Sequence, residues 1–177
     1  LITKLRSINY STFIAKDGME IYLEELINLQ DKLKKIKNLL KESAKKLGVL
    51  AIIEKLRTIP GIGFITAITI YTEIIDITRF KKLDQLCCYI GLVPSTHSSG
   101  EKERVIGLSK RQKKYLKRLL IEAAWIAIRK DPALTMSYLE LLKRMGSQKA
   151  IIKIAKKILN RIRYVWKNNK EYQVSVV

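Results

Sequence analysis

Cysteine and histidine are scarce in this 177-residue sequence, which holds two cysteines and one histidine. The cysteines, Cys87 and Cys88, are adjacent, and neighbouring cysteines do not normally bridge each other. Together with His97 they cannot provide the ligand spacing of a zinc site. These counts exclude a structural zinc site and favour a reducing cytoplasm.

The sequence also lacks a long apolar run and a signal peptide. Its longest uncharged stretch, Thr58 to Thr72, has 15 residues and contains a Pro/Gly turn, so it is too short and too broken to span a bilayer. We therefore expect no membrane partner. The chain begins with Leu1 rather than methionine, which suggests a piece of a longer protein.

Acidic residues are few, and the excess of basic over acidic residues is largest in the last part of the chain. The chain has 35 basic and 16 acidic side chains, a net charge of +19, and residues 101–177 alone contain 20 basic and 6 acidic ones. Such an excess predicts a polyanionic partner, nucleic acid rather than an anionic membrane. General solubility is the alternative, but it rarely needs so large an imbalance. A hydrophobic content of 47% is enough for one domain with a core.

Two apolar-periodic segments, Val49 to Thr58 and Phe64 to Ile75, flank the turn Pro60-Gly61-Ile62-Gly63. This pattern predicts a helix-hairpin-helix, because proline ends the first helix and glycine permits a sharp reversal. The free amides at the start of the second helix suit a phosphate oxygen. The alternative is a turn that only packs two helices together.

Upstream, apolar residues at three-four spacing predict a coiled-coil helix between Gly18 and Gly48. We assign residues 1–48 to this helical connector and 49–177 to a helical domain. The helix partner is another copy of the chain or an antiparallel helix of the same molecule. The stripe consists of Met19, Tyr22, Leu26, Leu29, Leu33, Ile36, Leu40, Leu47 and Leu50.

After the turn come a carboxylate pair, Glu73 and Asp76, and a short helix from about Lys82 to Ile90. Two acids are weak evidence for a metal, since capping or an ion pair with Arg79 explains them equally well. The polar segment from Pro94 to Gly107 is predicted to be a loop or a small β-hairpin with its tip near glycine 100.

Ser109 is predicted to cap a long basic helix, followed by helices at 133–145 and 148–168. Crowded cations near a helix N-terminus are unfavourable with its dipole, so an anion is expected to offset them. The cations are Lys110, Arg111, Lys113, Lys114, Lys117 and Arg118.

The polar loop contains Ser98 and Ser99, with His97 and Glu101 nearby. A serine attacks phosphorus only when its proton is removed and the developing charge is stabilised. Three cations in or after the loop could supply that stabilisation: Arg104, Lys110 and Arg111. From this chemistry alone, an ordinary turn serine is favoured over a nucleophile.

In their order and spacing, several short motifs between about Leu50 and Lys167 resemble the C-terminal domain of insertion-sequence transposases of family one hundred and ten. These are RNA-guided serine recombinases. The motifs are Ile59-Pro60-Gly61-Ile62-Gly63, Glu73 to Asp76, Arg79-Phe80, Tyr89-Ile90-Gly91-Leu92-Val93-Pro94, Ser99-Gly100, Lys110, Leu116, Ala123-Ala124 and Asp131-Pro132.

The resemblance implies DNA cleavage and rejoining through a covalent serine-phosphate intermediate, in a prokaryotic cytoplasm. It places the nucleophile at Ser99, with Ser98 as the fallback, and magnesium on a preceding RuvC-like domain. This chain by itself is then expected to hold no cofactor and not to turn over. The implied partners are DNA, a guide RNA and further copies of the chain joined through the coiled coil. Gln112-Lys113 and Lys117 depart from the family pattern, which often has Gly-Asn and Arg there.

We therefore predict an all-α fold with a helix-hairpin-helix and one small polar loop or β-hairpin. The alternative function is a non-catalytic nucleic-acid-binding module or an assembly module. The predicted nucleic-acid contacts are Gly61, Ile62, Gly63, Arg104, Lys110, Arg111, Lys113, Lys114 and Lys117.

Overall fold

The computed structural model describes residues 2–99, 102–108 and 113–174. The chain divides into two compact units, residues 1–50 and 51–177. Within the described ranges, none of the helices combines the length and apolar content needed to cross a bilayer.

The first unit contains α1 (Ile2–Arg6) and the 34-residue α2 (Phe13–Lys46). The hydroxyl of Thr12 accepts a hydrogen bond from the Ala15 amide at 3.2 Å and so caps α2. The expectation that Gly18 interrupts the helix was wrong, because α2 runs through it and this cap sets the start five residues earlier than Gly18. One glycine inside a helix costs only about 1 kcal/mol. Gly48, with φ of +70°, follows the end of α2 as predicted.

The second unit is mainly helical. Its helices are α3 (Leu50–Arg57), α4 (Phe64–Ile74), α5 (Leu83–Ile90), α6 (Lys114–Ala127), α7 (Pro132–Leu142) and α8 (Ser147–Asn168). The predicted helices at the turn, at residues 82–90 and at the C-terminal end are present within one or two residues of their expected bounds. The α7 helix ends at Leu142, three residues before the predicted end at Met145. After it, the Arg144 amide donates to the Leu141 backbone oxygen, an i to i−3 bond of the kind that closes the last turn of a helix.

The core lies along α8, which packs against α5, α6 and α7. Its isoleucines recur at four-residue spacing, so they form one stripe, and Ile154, Ile158 and Ile162 are fully buried. Leu116 and Leu120 of α6 are buried as well. The amphipathic pattern of α8 therefore positions most of the second unit.

Strands β1 (Pro94–Ser99) and β2 (Lys102–Leu108) form an antiparallel pair between α5 and α6. Ser99 pairs with Lys102, and Ser98 pairs with Glu103. The mainly helical fold with one hairpin is thus confirmed. Glycine 100, predicted at the hairpin tip, lies outside the described residues.

The predicted start of the basic helix was wrong. Helix α6 begins at Lys114, and its N-cap is Lys113, whose φ of −50° and ψ of 73° are not helical. The side chain of Lys113 forms an ion pair with Glu73 of α4. Ser109, Lys110 and Arg111 lie outside the described residues.

Candidate nucleic-acid interface

The turn between α3 and α4 is pressed against α6 at Gly61. A Cβ atom at this position would lie 2.3 Å from the Ala123 carbonyl oxygen, closer than any real side chain allows. Gly61 also has φ of +87°, which L side chains rarely adopt. The neighbouring Ile62 is 5% exposed. Packing therefore accounts for Gly61 and for the side chain of Ile62.

Gly63, two residues on, is in a different environment. It is exposed, has φ of −85°, and an added Cβ would meet nothing within 4 Å. As the N-cap of α4 it provides no side-chain hydrogen bond to the first turn, which also contains no acidic residue. The Arg57 guanidinium lies 5.8 Å from the centre of the Phe64 ring at this end of the helix. Arg57 already forms an ion pair with Glu54 at 2.6 Å. The helix dipole and the uncapped first turn are therefore what make this end of α4 suitable for an anion.

Lys113 joins the start of α6 to α4 and α5. Its Nζ lies 2.6 Å from Oε2 of Glu73 and 5.7 Å from the centre of the Tyr89 ring. The Tyr89 hydroxyl donates to the backbone oxygen of Glu73 at 2.9 Å. The hydrogen bond to Glu73 is the main cause that raises the pKa of Lys113. The ammonium therefore stays charged, but one carboxylate already balances it.

The second carboxylate of the predicted pair, Asp76, also has protein partners. It accepts hydrogen bonds from the amide and hydroxyl of Thr78, both at 2.8 Å, and the amide bond is the main cause that lowers the pKa of Asp76. Arg79 lies over the rings of Phe80 and Tyr89, and its charge is a smaller cause that lowers the pKa of Asp76. In the described part of the chain, no group of three or more His, Cys, Asp or Glu residues is placed to hold a metal.

The remaining predicted residues lie on the hairpin and on α6. Ser99 is the last residue of β1, and Arg104 of β2 pairs with His97. Lys114 is exposed in the first turn of α6 and Lys117 is half-buried. Since Lys110 and Arg111 are outside the described residues, the proximity of these cations to Ser99 stays a prediction.

Sequence reasoning missed a buried polar cluster centred on Asp131, which is fully buried. Its carboxylate accepts hydrogen bonds from Arg161 Nη1 at 2.8 Å, the Tyr172 hydroxyl at 2.7 Å and the Leu134 amide at 3.1 Å. The Asp-Pro pair indicated a helix start, which the structure bears out. Arg161 is 30 residues away, so no local signal could have indicated that partner.

These features define a strongly basic helical domain with a β-hairpin that ends its first strand on a serine. Residues 53–139, which include the α3–α4 turn and the hairpin, match the family described as Transposase IS116/IS110/IS902. The chain therefore contains a transposase domain of this family.

Two curated relatives are similar to it. The transposase for insertion sequence element IS1111A of Coxiella burnetii is 37% identical over 108 residues, which cover 59% of this chain and 30% of that protein. The transposase for insertion sequence element IS1328 of Yersinia enterocolitica is 41% identical over 71 residues, which cover 40% of this chain and 21% of that protein. The chain thus spans less than a third of the length of these relatives.

Proposed function

We propose that this chain is the DNA-binding, serine-bearing C-terminal part of a transposase that cuts and rejoins DNA. The observation that carries the proposal is that the matched residues 53–139 contain both the α3–α4 turn and the hairpin whose first strand ends at Ser99. The net charge of +19 supports a polyanionic partner. The setting that fits a bacterial insertion sequence is the prokaryotic cytoplasm.

In this proposal Ser99 is the nucleophile, with Ser98 as the fallback. Its oxygen attacks a DNA phosphorus, the bond from phosphorus to the leaving strand oxygen breaks, and a serine-phosphate ester forms. The serine proton passes to a base and the leaving oxygen takes up a proton. A hydroxyl of another strand then reverses the step and joins new ends.

Magnesium belongs to a separate RuvC-like domain in this proposal. The described carboxylates agree with that division, because Glu73 and Asp76 are bonded to Lys113 and Thr78 and share no site. No step proposed for this chain runs through a metal.

DNA contacts are assigned to backbone phosphates, which carry no base information. The proposed phosphate contact at the start of α4 uses the amides around Gly61 to Gly63. The Ile62 amide is not one of them, because it already donates to the Ile59 backbone oxygen at 3.0 Å, and the Ile62 side chain is buried. Cations of the hairpin and of α6 attract the strand electrostatically: Arg104, Lys110, Arg111, Lys113, Lys114 and Lys117.

We assign α2 to self-association and add a guide RNA as a second nucleic-acid partner. Leu29, Leu33 and Ile36 on the predicted heptad stripe are 52%, 50% and 53% exposed. A second copy of α2 would cover these side chains by knobs-into-holes packing.

The second candidate is a non-catalytic nucleic-acid-binding module. The packing of Gly61 on Ala123 favours it, because a turn needed for packing explains part of the motif without phosphate contact. In that case the serines only shape the hairpin.

The two candidates are separated by Ser99→Ala in the full-length transposase. We expect loss of strand cleavage and of the protein-DNA adduct, while DNA binding is retained. The matched control is Ser98→Ala, which should retain both. An adduct that survives Ser99→Ala but not Ser98→Ala moves the nucleophile to the fallback, and an adduct that survives both removes serine chemistry from this hairpin.

The phosphate contact at the turn is tested best at Gly63. Gly63→Val adds a side chain into open space beside the first amides of α4, so it should weaken binding of every duplex sequence equally. Gly61→Ala is unsuitable alone, because its clash with Ala123 unfolds the turn. Unchanged duplex affinity in a folded Gly63→Val chain would show that the turn only packs helices.

A further inference from the structure

The outward face of α8 contains cations that the DNA contacts proposed above do not use. This helix has seven basic side chains and no acidic one. Lys149, Lys153 and Lys157 are exposed and recur every four residues, so they lie on one face. Asn160 and Tyr164 continue the same face toward the end of the helix, and both are exposed.

The cationic half of this face lines a cavity of about 370 Å³ between α7 and α8. Lys157 Nζ donates to Ser137 Oγ of α7 at 2.7 Å, which holds one side of the cavity in place. Glu140 is the acidic residue in the lining. The lining cations are Arg144, Lys153, Lys156 and Lys157.

The other half of the face borders a recess of about 700 Å³ between α8 and the tail at 170–173. Tyr164 is 56% exposed there, with Asn160 and Gln173 in the same lining. The opposite wall is fixed, since Arg161 lies 4.9 Å from the centre of the Tyr172 ring and both side chains bond Asp131.

The two cavities are neighbours along α8, with Asn160 in the lining of both. At 1.5 Å per residue, Lys153 and Tyr164 are about 16 Å apart along the helix. The α8 groove, defined as these two cavities together, therefore has a cationic end and an aromatic, amide-bearing end within reach of a few nucleotides.

We propose that the α8 groove binds single-stranded DNA. In this proposal the phosphates of the strand lie at Lys153 and Lys157, and one base stacks on the Tyr164 ring. The side chains of Asn160 and Gln173 can then form hydrogen bonds with the edge of that base. A duplex could bind the lysines through its phosphates, but its bases are stacked on each other and cannot stack on Tyr164. Lysines next to an exposed tyrosine therefore favour an unpaired strand. This inference rests on the proposed function, because the strand exchange assigned to the domain is what makes unpaired DNA available.

The aromatic end is tested with the 177-residue chain and a short fluorescein-labelled oligodeoxythymidylate in an anisotropy titration. Tyr164→Ala should weaken binding about fivefold or more, whereas Tyr164→Phe keeps the ring and should bind like the wild type. The matched control is Tyr115→Ala on α6, where the tyrosine is 55% exposed, and it should leave affinity unchanged. Circular-dichroism melting curves establish that each variant is folded.

The cationic end gives effects of opposite sign. Lys153→Ala should weaken binding and make the log-log salt slope shallower by about 0.7, the value for one phosphate of a single strand. Glu140→Gln removes the carboxylate at the cationic end of the groove, while Glu171 stays at the other end, and should tighten binding at low salt. Weaker binding by Glu140→Gln would contradict a phosphate at this end.

Three further results would overturn the inference: unchanged affinity in Tyr164→Ala, an equal loss in Tyr115→Ala, or preferential binding of unlabelled oligouridylate in competition. The proposed function is tested separately. If Tyr164→Ala has no effect while Ser99→Ala abolishes the adduct, the groove is wrong and the serine stands. If the adduct survives at Ser99→Ala while Tyr164→Ala weakens binding, the groove stands and the serine assignment is wrong.

Discussion

The apolar stripes of α8 and α2 differ in how far they are covered. Ile154, Ile158 and Ile162 of α8 are fully buried, whereas Leu33 and Ile36 of α2 remain about half exposed. Both helices are amphipathic, so periodicity alone predicts that each stripe will be covered but does not identify the covering surface. Helices α5, α6 and α7 of the same chain cover the stripe of α8. The stripe of α2 remains exposed, and its spacing is that of a coiled-coil helix, which packs against another helix.

The charged faces differ as well. The outward side chains of α2 mix acids with bases, and several pairs of opposite sign fall three or four residues apart. The charged side chains of α8 are all basic, and of these Arg161 is paired with Asp131 inside the chain. Charges on α2 can thus be balanced along the helix, while the lysines on the outward face of α8 have no acidic partner on their own helix. This difference fits the protein contacts proposed for α2 and the polyanion contacts proposed for α8.

The largest expected effect concerns what holds α8 in place. Asp131→Ala removes the cap of α7 and leaves Arg161 without its carboxylate, so we expect a loss of about 3 kcal/mol or more in the free energy of unfolding. Urea denaturation measures it. The control is Glu122→Ala, which breaks the exposed ion pair with Arg118 and should cost at most about 1 kcal/mol. Similar losses in both variants would mean that the buried cluster is not what fixes α8.

The second prediction compares the two apolar stripes directly. Ile158→Ala leaves a cavity in the core and should destabilise the chain by about 2 to 5 kcal/mol. Leu33→Ala should cost about 0.5 kcal/mol or less when urea denaturation is done at a protein concentration where the chain is monomeric. Equal costs at that concentration would show that the stripe of α2 is already buried in the monomer.

The third prediction concerns the role assigned to α2. Replacing Leu29, Leu33 and Ile36 together by serine should lower the mass measured by light scattering to that of one chain, because it removes the apolar seam. The control changes exposed charges on the same helix, Lys34→Gln and Lys35→Gln, and should keep the mass of the unchanged protein. An oligomer that survives the triple change would place self-association outside α2.

The smallest effect concerns the charged faces. If six to eight phosphates are neutralised, duplex affinity should fall with salt at a log-log slope of about −5 to −7. Removing one contacting cation of the second unit, as in Lys114→Ala, should make that slope shallower by about 1. Lys35→Ala on α2 should leave it unchanged, and anisotropy titrations at several salt concentrations give both values. A shallower slope for Lys35→Ala would assign DNA contacts to the first unit.

Local patterns predicted most of the helices and the hairpin, because caps, glycines and apolar spacing act over a few residues. Local patterns do not indicate contacts between distant residues. Lys113, the residue before α6, pairs with Glu73 of α4, and nothing near Ser109 in the sequence indicates that contact. Gly61 could be identified as a residue in a sharp turn, but its contact with Ala123 depends on how α6 packs. For the site, Ser99 lies on the hairpin at the end of β1, while the proximity of Lys110 and Arg111 to Ser99 stays a prediction.

The tail after α8 has a consequence for the order of folding. The Tyr172 amide donates to the Thr58 hydroxyl at 2.8 Å, and Lys55 donates to the Asn169 backbone oxygen at 2.7 Å. The tail is therefore bonded to α3 and to the residue that follows it, which lie near the start of the second unit. During synthesis α3 must therefore wait for more than a hundred further residues before these partners exist. A chain that ends before residue 169 would lack both bonds, so the second unit is completed only after nearly all of it has been made.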